Sequence, residues 1–151
     1  MKPAALAFVL LAACAAPEGH VHDHGAPSPD ARLAVRFPPD LRAHTLANMR
    51  DHLATLQQVE EALGRGEYDR AAQLAERRLG LSSLEAHGAH QVAPYMPAGM
   101  QEAGTAMHKA ASRFGIEAAN AGATGDAKPA MAALANVTAQ CVACHAAYRL
   151  E

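Results

Sequence analysis

The sequence contains no tryptophan, and only three tyrosines and three phenylalanines among 151 residues. Sheet-rich folds lean on aromatic and β-branched side chains, so this scarcity weighs against them. Positive charge is not in excess either: 13 Lys and Arg face 15 Asp and Glu, for a net charge of −2. A nucleic-acid binder needs a basic footprint, and none is present. Charged residues are only 19% while hydrophobic ones reach 50%, which excludes wholesale disorder. What is abundant is alanine, about a quarter of the chain. Alanine is the best helix former, so the expectation is an all-α fold of one domain. A core built largely from alanine is thin, and a cofactor is one candidate to fill it.

The N-terminus reads as a targeting segment. Lys2 precedes a ten-residue apolar run from Ala4 to Ala13, which fits a secretory signal and is too short to span a membrane. Residues 1–13 are therefore expected to be removed. The run ends Leu11-Ala12-Ala13-Cys14, which resembles the lipobox of bacterial lipoproteins and implies a lipid anchor on Cys14. Ordinary cleavage after Ala15 or Ala16 is the alternative. Either route exports the protein to the periplasmic side of a bacterial envelope. Loss of residues 1–13 takes away Lys2 and no acid, so the charge of −2 becomes −3. Residues 14–38 read as a flexible tether, rich in proline and expected to be disordered until about Pro38. His20, His22 and His24 lie in it. They are either a weak metal-binding tract or, more simply, part of a solvated spacer, because a floppy segment loses entropy on closing a site.

Residues 39–151 read as a four-helix domain. The first helix is predicted over about Asp40 to Leu63, with Leu46, Met49, Leu53, Leu56 and Leu63 on one stripe. The second runs from about Glu67 to Leu79, with Tyr68, Ala71, Ala72, Ala75 and Leu79 inward. An irregular stretch from Leu81 to Pro97 follows, carrying His87, His90 and Met96. The third helix spans about Ala98 to Ala121, with Met100, Ala103, Met107, Ala111, Phe114 and Ala118 inward. The fourth spans about Ala127 to Leu150. Its inner stripe is Leu134, Val137, Cys141, Cys144 and Tyr148. Short turns between such helices suggest an antiparallel up-down-up-down bundle. Scattered histidines such as His108 read as surface residues.

The chemistry sits near the C-terminus. Cys141-Val142-Ala143-Cys144-His145 is C-x-x-C-H, the attachment signature of c-type haem. Spacings of three and four on a helix place Cys141, Cys144 and His145 on one face. Two thiols there can form thioethers to the two haem vinyl groups, and the imidazole of His145 can take the iron. The competing readings fit less well. A redox dithiol would follow a strand and open a helix. A zinc site would need a second cysteine pair, yet the only other cysteine is Cys14. A disulfide leaves the adjoining histidine unexplained.

The position of the motif adds a resemblance. A helical chain with C-x-x-C-H a few residues from its C-terminus resembles the class II c-type cytochromes, meaning cytochrome c′ and its low-spin relatives. Cys141-x-x-Cys144-His145-x-x-Tyr148-Arg149 is similar to that family's ending. The resemblance implies a four-helix bundle with one covalent haem, His145 as fifth ligand and Arg149 close to the proximal face. By residue chemistry alone, Arg149 either screens a propionate or the ring edge, or offsets the helix dipole. In low-spin members a methionine near the start of the first helix is the distal ligand, which implies that role for Met49. In cytochrome c′ proper the sixth site is open. Met131 is excluded by its distance along the fourth helix, and Met107 is disfavoured. Met96, Met100, His44, His52, His87 and His90 stay in play.

Two function classes follow. With His145 and Met49 on the iron, the protein is an electron carrier that serves redox partner proteins of the envelope. With an open distal site, it binds or senses a small gas such as nitric oxide. Relatives of this kind often form homodimers through their first two helices. No acid–base or nucleophile constellation stands out, so no enzymatic activity is expected.

Overall fold

A computed structural model describes residues 29–151. The signal segment 1–13, Cys14, and His20, His22 and His24 lie outside the described residues. The chain divides into two units, Met1–Asp30 and Ala31–Glu151, and the fold below is that of the second. Helix accounts for 76% of the described residues, and the helices pack on one another, so the fold is all-α.

Four long helices carry the domain: α1 (Pro39–Gly64), α2 (Tyr68–Arg78), α4 (Ala98–Thr124) and α5 (Lys128–Ala147). Their ends fall within a few residues of the sequence expectation, because proline and glycine punctuate them. Pro39 opens α1 and Pro129 sits in the first turn of α5, positions where the missing N–H costs nothing. Gly125 closes α4 in the left-handed conformation at φ +77°, with its N–H donating to the Ala121 carbonyl. Ala there would have to hold a positive φ. Gly125→Ala is therefore expected to cost about 1 kcal/mol in chemical denaturation, although its methyl group would meet nothing within 4 Å.

α2 packs between α1 and α4, and α4 packs on α5. The contact faces are small. Ala71 and Ala75 of α2 and Ala111, Gly115 and Ala118 of α4 are buried, and a Cβ on Gly115 would stand 3.3 Å from the Ala72 carbonyl. Close approach of the helices takes the place of bulky filling. Phe114, Leu79, Val59 and Val137 are the largest fully buried apolar residues. α5 buries Ala130, Leu134 and Val137 against this core. By length and composition it is also apolar enough to cross a membrane, with a mean hydropathy of 1.3, and alanine supplies much of that value.

The structure corrects the sequence reading in three places. The tether does not extend to Pro38. Leu33–Val35 forms a short strand, β1, parallel to β2 (Tyr148–Leu150), and Val35 and Phe37 are buried. The fourth long helix accordingly stops at Ala147 and not near Leu150, since Tyr148 turns to extended backbone to pair with Leu33. Finally, α1 is rotated by about one residue from its leucine stripe. Thr45, His52, Thr55, Val59 and Ala62 are buried, whereas Leu53 is 71% exposed. The rotation turns Leu46 and Met49 toward a cavity on the α5 side. The stretch from Leu81 to Pro97 is a string of short turns: a 3-10 turn at Leu81–Ser83, α3 (Ala89–Val92) and a second 3-10 turn at Ala93–Tyr95. Phe37 packs edge-on against Tyr95 at 6.2 Å between ring centres, which ties this stretch to the start of the domain.

Candidate functional site

α1 and α5 are not closely packed on each other, and a cavity of about 320 Å³ opens at that end of the domain. α5 brings Cys144 and His145 to its wall, and α1 brings Thr45, Leu46 and Met49. Met96 comes from the turns, Met100 and Gly104 from the first two turns of α4, and Tyr148, Arg149 and Leu150 from β2. Most of the lining is apolar. Of the candidates read from sequence, Cys144, His145, Met49, Met96, Met100 and Arg149 are thus brought together.

Cys141 stands one turn back on the same helix. It is half-buried against the core, with its thiol donating weakly to the Val137 carbonyl at 3.5 Å. Burial raises the thiol pKa of Cys141, and burial followed by the neighbouring Cys141 raises that of Cys144. Both thiols are free and stay protonated at neutral pH. A redox dithiol works through a thiolate of lowered pKa, so these groups are poorly suited to that role.

Arg149 lies beyond the end of α5, in β2, where it forms an ion pair with Glu151 at 2.9 Å. Glu151 also accepts from Arg36 at 3.1 Å, and hydrogen bonds from Arg36 and then Arg149 hold its carboxyl below the usual range. Arg32 donates to the carbonyl of His145 at 3.4 Å, and the Glu151 N–H donates to the Val35 carbonyl at 3.0 Å. The segment before α1 therefore clamps the chain just after His145. Pairing with Glu151 makes Arg149 more than a helix-dipole partner, since it has left the helix.

A second cavity of about 190 Å³ adjoins the first; Thr45, Met49, Met96 and Gly104 line both. His52, His87 and His108 face into it. His52 and His87 ring centres are 4.6 Å apart, His87 and His108 5.4 Å, and His52 and His108 6.1 Å. His52 and His108 are 8% exposed, so the expectation of a surface position for His108 is overturned. Burial, then the proximity of His87 and of His108, lowers the pKa of His52 to about 4; burial and His108 also lower that of His87. Sequence reasoning missed this group, because its members sit on three separate elements. The one signal was the unusual density of histidine in and around the Leu81–Pro97 stretch. His44 and Asn48 hold that stretch to α1 through the His87 carbonyl, at 3.1 and 3.0 Å. His90 is exposed on α3, Met131 is 53% exposed away from the cavity, and Met107 is buried in the core at the second cavity.

The residues present fit a covalently held haem. Cys144 and His145 line a largely apolar cavity with the thioethers of Met49, Met96 and Met100, and Cys141 stands one turn back; thiol, imidazole and thioether are the donor types that hold haem c. Against protein-family models, curated proteins and solved structures, the chain has no match.

Proposed function

We propose that this protein is an exported monohaem c-type cytochrome that carries electrons in the bacterial periplasm. In this reading the four long helices form an antiparallel bundle, and Cys14 carries a lipid anchor. The observation that carries the proposal is that Cys144 and His145 of the C-x-x-C-H motif share one cavity with Met49. Cys141 and Cys144 would hold the haem through thioethers, and His145 would supply the proximal nitrogen. The Met49 thioether, which lines the same cavity from α1, would be the distal donor. A haem held there supplies a one-electron couple whose potential its ligands and burial set.

The chain's own residues do the rest. Leu46, Met96, Met100 and Leu150 give the cavity apolar walls, and apolar surroundings raise the cost of net charge. Arg149, already paired with Glu151, keeps a cation at the edge of the site for a propionate. The β1–β2 clamp limits movement of the chain after His145, which favours small rearrangement on electron transfer. A tethered, lipid-anchored carrier stays concentrated near envelope redox partners. Pairing into a homodimer across α1 and α2 belongs to the same proposal; Leu53 of α1 is an exposed leucine.

Cytochrome c′-like binding of nitric oxide is the second reading, and the cavity beyond Met49 favours it by giving a diatomic molecule room. Absorption spectra of oxidised and reduced protein, with and without carbon monoxide or nitric oxide, separate the two. The carrier reading expects a low-spin spectrum with a sulfur-to-iron band, indifferent to gas. Met49→Ala should abolish that band and make the ferrous protein respond to carbon monoxide. A wild-type spectrum that is high-spin and shifts at once on adding gas would replace electron transfer with gas binding.

A further inference from the structure

The histidine group beside the haem cavity has the chemistry of a metal site of its own. The tautomers follow from the hydrogen bonds. Leu79 offers only a carbonyl to His108 Nδ1, at 2.7 Å, so Nδ1 carries the proton and Nε2 is bare. Ser83 Oγ donates to the Gly80 carbonyl at 2.7 Å, so toward His87 Nδ1, at 3.3 Å, it accepts. His87 Nδ1 therefore carries its proton, and His52 Nε2, 3.4 Å from it, is the bare nitrogen. In these tautomers each ring carries its lone pair on Nε2, and that of His52, which accepts from His87 Nδ1, is freed when the His87 ring turns away. For His108 the Nδ1–H is already fixed by a backbone carbonyl, the outer-shell arrangement common to metal-bound histidines.

The spacing fits as well. An imidazole bound at about 2.1 Å keeps its ring centre about 3.2 Å from the metal, so two rings on one ion stand about 4.5 to 6.4 Å apart. The three observed separations, 4.6, 5.4 and 6.1 Å, all fall in that interval. Convergence of the nitrogens is the remaining step, because among the described residues no three ligating side chains yet meet at one point. His87 is the ring placed to move. It is half-buried, on a turn that ends at Gly88 with φ +64°, while His52 and His108 are held on long helices.

We propose that His52, His87 and His108 bind one borderline divalent cation of the zinc, nickel or copper class, with water completing the shell. The proposal does not depend on the haem reading. It is tested by calorimetric titration of the full chain, haem included, with zinc chloride at pH 7. The background is a variant with His20, His22 and His24 replaced by alanine, which removes the competing imidazoles outside the described residues. One ion per chain is expected in that background, with affinity falling at least about 100-fold in His108→Gln and in His52→Gln. Zinc should also shift the imidazole nitrogen resonances of His52, His87 and His108 together in the unsubstituted chain, a readout that survives if a variant does not fold. Zinc binding lost with the three alanines, binding indifferent to His108→Gln, resonances of these rings unmoved, or no binding would each overturn it.

Discussion

Replacing Cys141 and Cys144 together by alanine is expected to give a colourless protein after denaturation and extraction, even when haem-attachment machinery is coexpressed. The unsubstituted chain should keep its pigment through the same treatment. The effect is expected to be all-or-none because thioethers from Cys141 and Cys144 would be the covalent link; His145 alone could hold haem only through a reversible bond. The double variant should still fold. α5 is anchored by Ala130, Leu134 and Val137, which are buried one to three turns before the motif, and the two thiols are only half-buried. Circular dichroism should therefore show near-unchanged helix content. The thermal midpoint should fall, since a ligand that binds only the folded state adds to its stability. Covalent pigment persisting in the double variant would show that the motif is not the attachment site. A colourless unsubstituted protein would remove both the electron-carrier and the gas-binding readings.

Acid should destabilise the fold sharply between pH 6.5 and about 4. His52 has a pKa of about 4 when folded, against 6.5 when exposed, because burial and then the neighbouring His87 and His108 penalise its charged form; Asp51 opposes this. Between those values the unfolded chain binds the extra proton, so stability rises with pH in this window and is lost as pH falls through it. Each pH unit costs about 1.4 kcal/mol, and the whole window about 3 kcal/mol. His87 adds to the loss in the same sense. Urea denaturation at several pH values between 7 and 4.5 reads the slope directly. His52→Gln should remove about one proton's worth of it, whatever the carboxylates contribute. An equal slope in both proteins would mean that His52 is not neutral and buried in the folded state.

The histidine group shows why part of the site was not legible in the sequence. His52, His87 and His108 lie on α1, a turn and α4, and no local pattern links them. A leucine stripe on α1 pointed elsewhere, and its rotation by about one residue is set by what α1 meets: Ala-rich α2 and the turns held through the His87 carbonyl. Likewise, strands of three residues at opposite ends of the domain carry no usable periodicity. Only the pairing of Leu33 with Tyr148 makes them strands.

By itself, the sequence determined the four long helices and the spacing of the C-x-x-C-H motif. Helix boundaries depend on nearby residues: alanine content, prolines in first turns and glycines beyond last turns. The grouping of Cys141, Cys144 and His145 depends only on helical pitch. Tertiary structure decided which methionines share a cavity with His145, how the β1–β2 clamp closes after it, and that three distant histidines line one cavity. Those outcomes are set by long-range packing, where an alanine-lined interface leaves the rotation and approach of each helix to its neighbours and not to its own stripe.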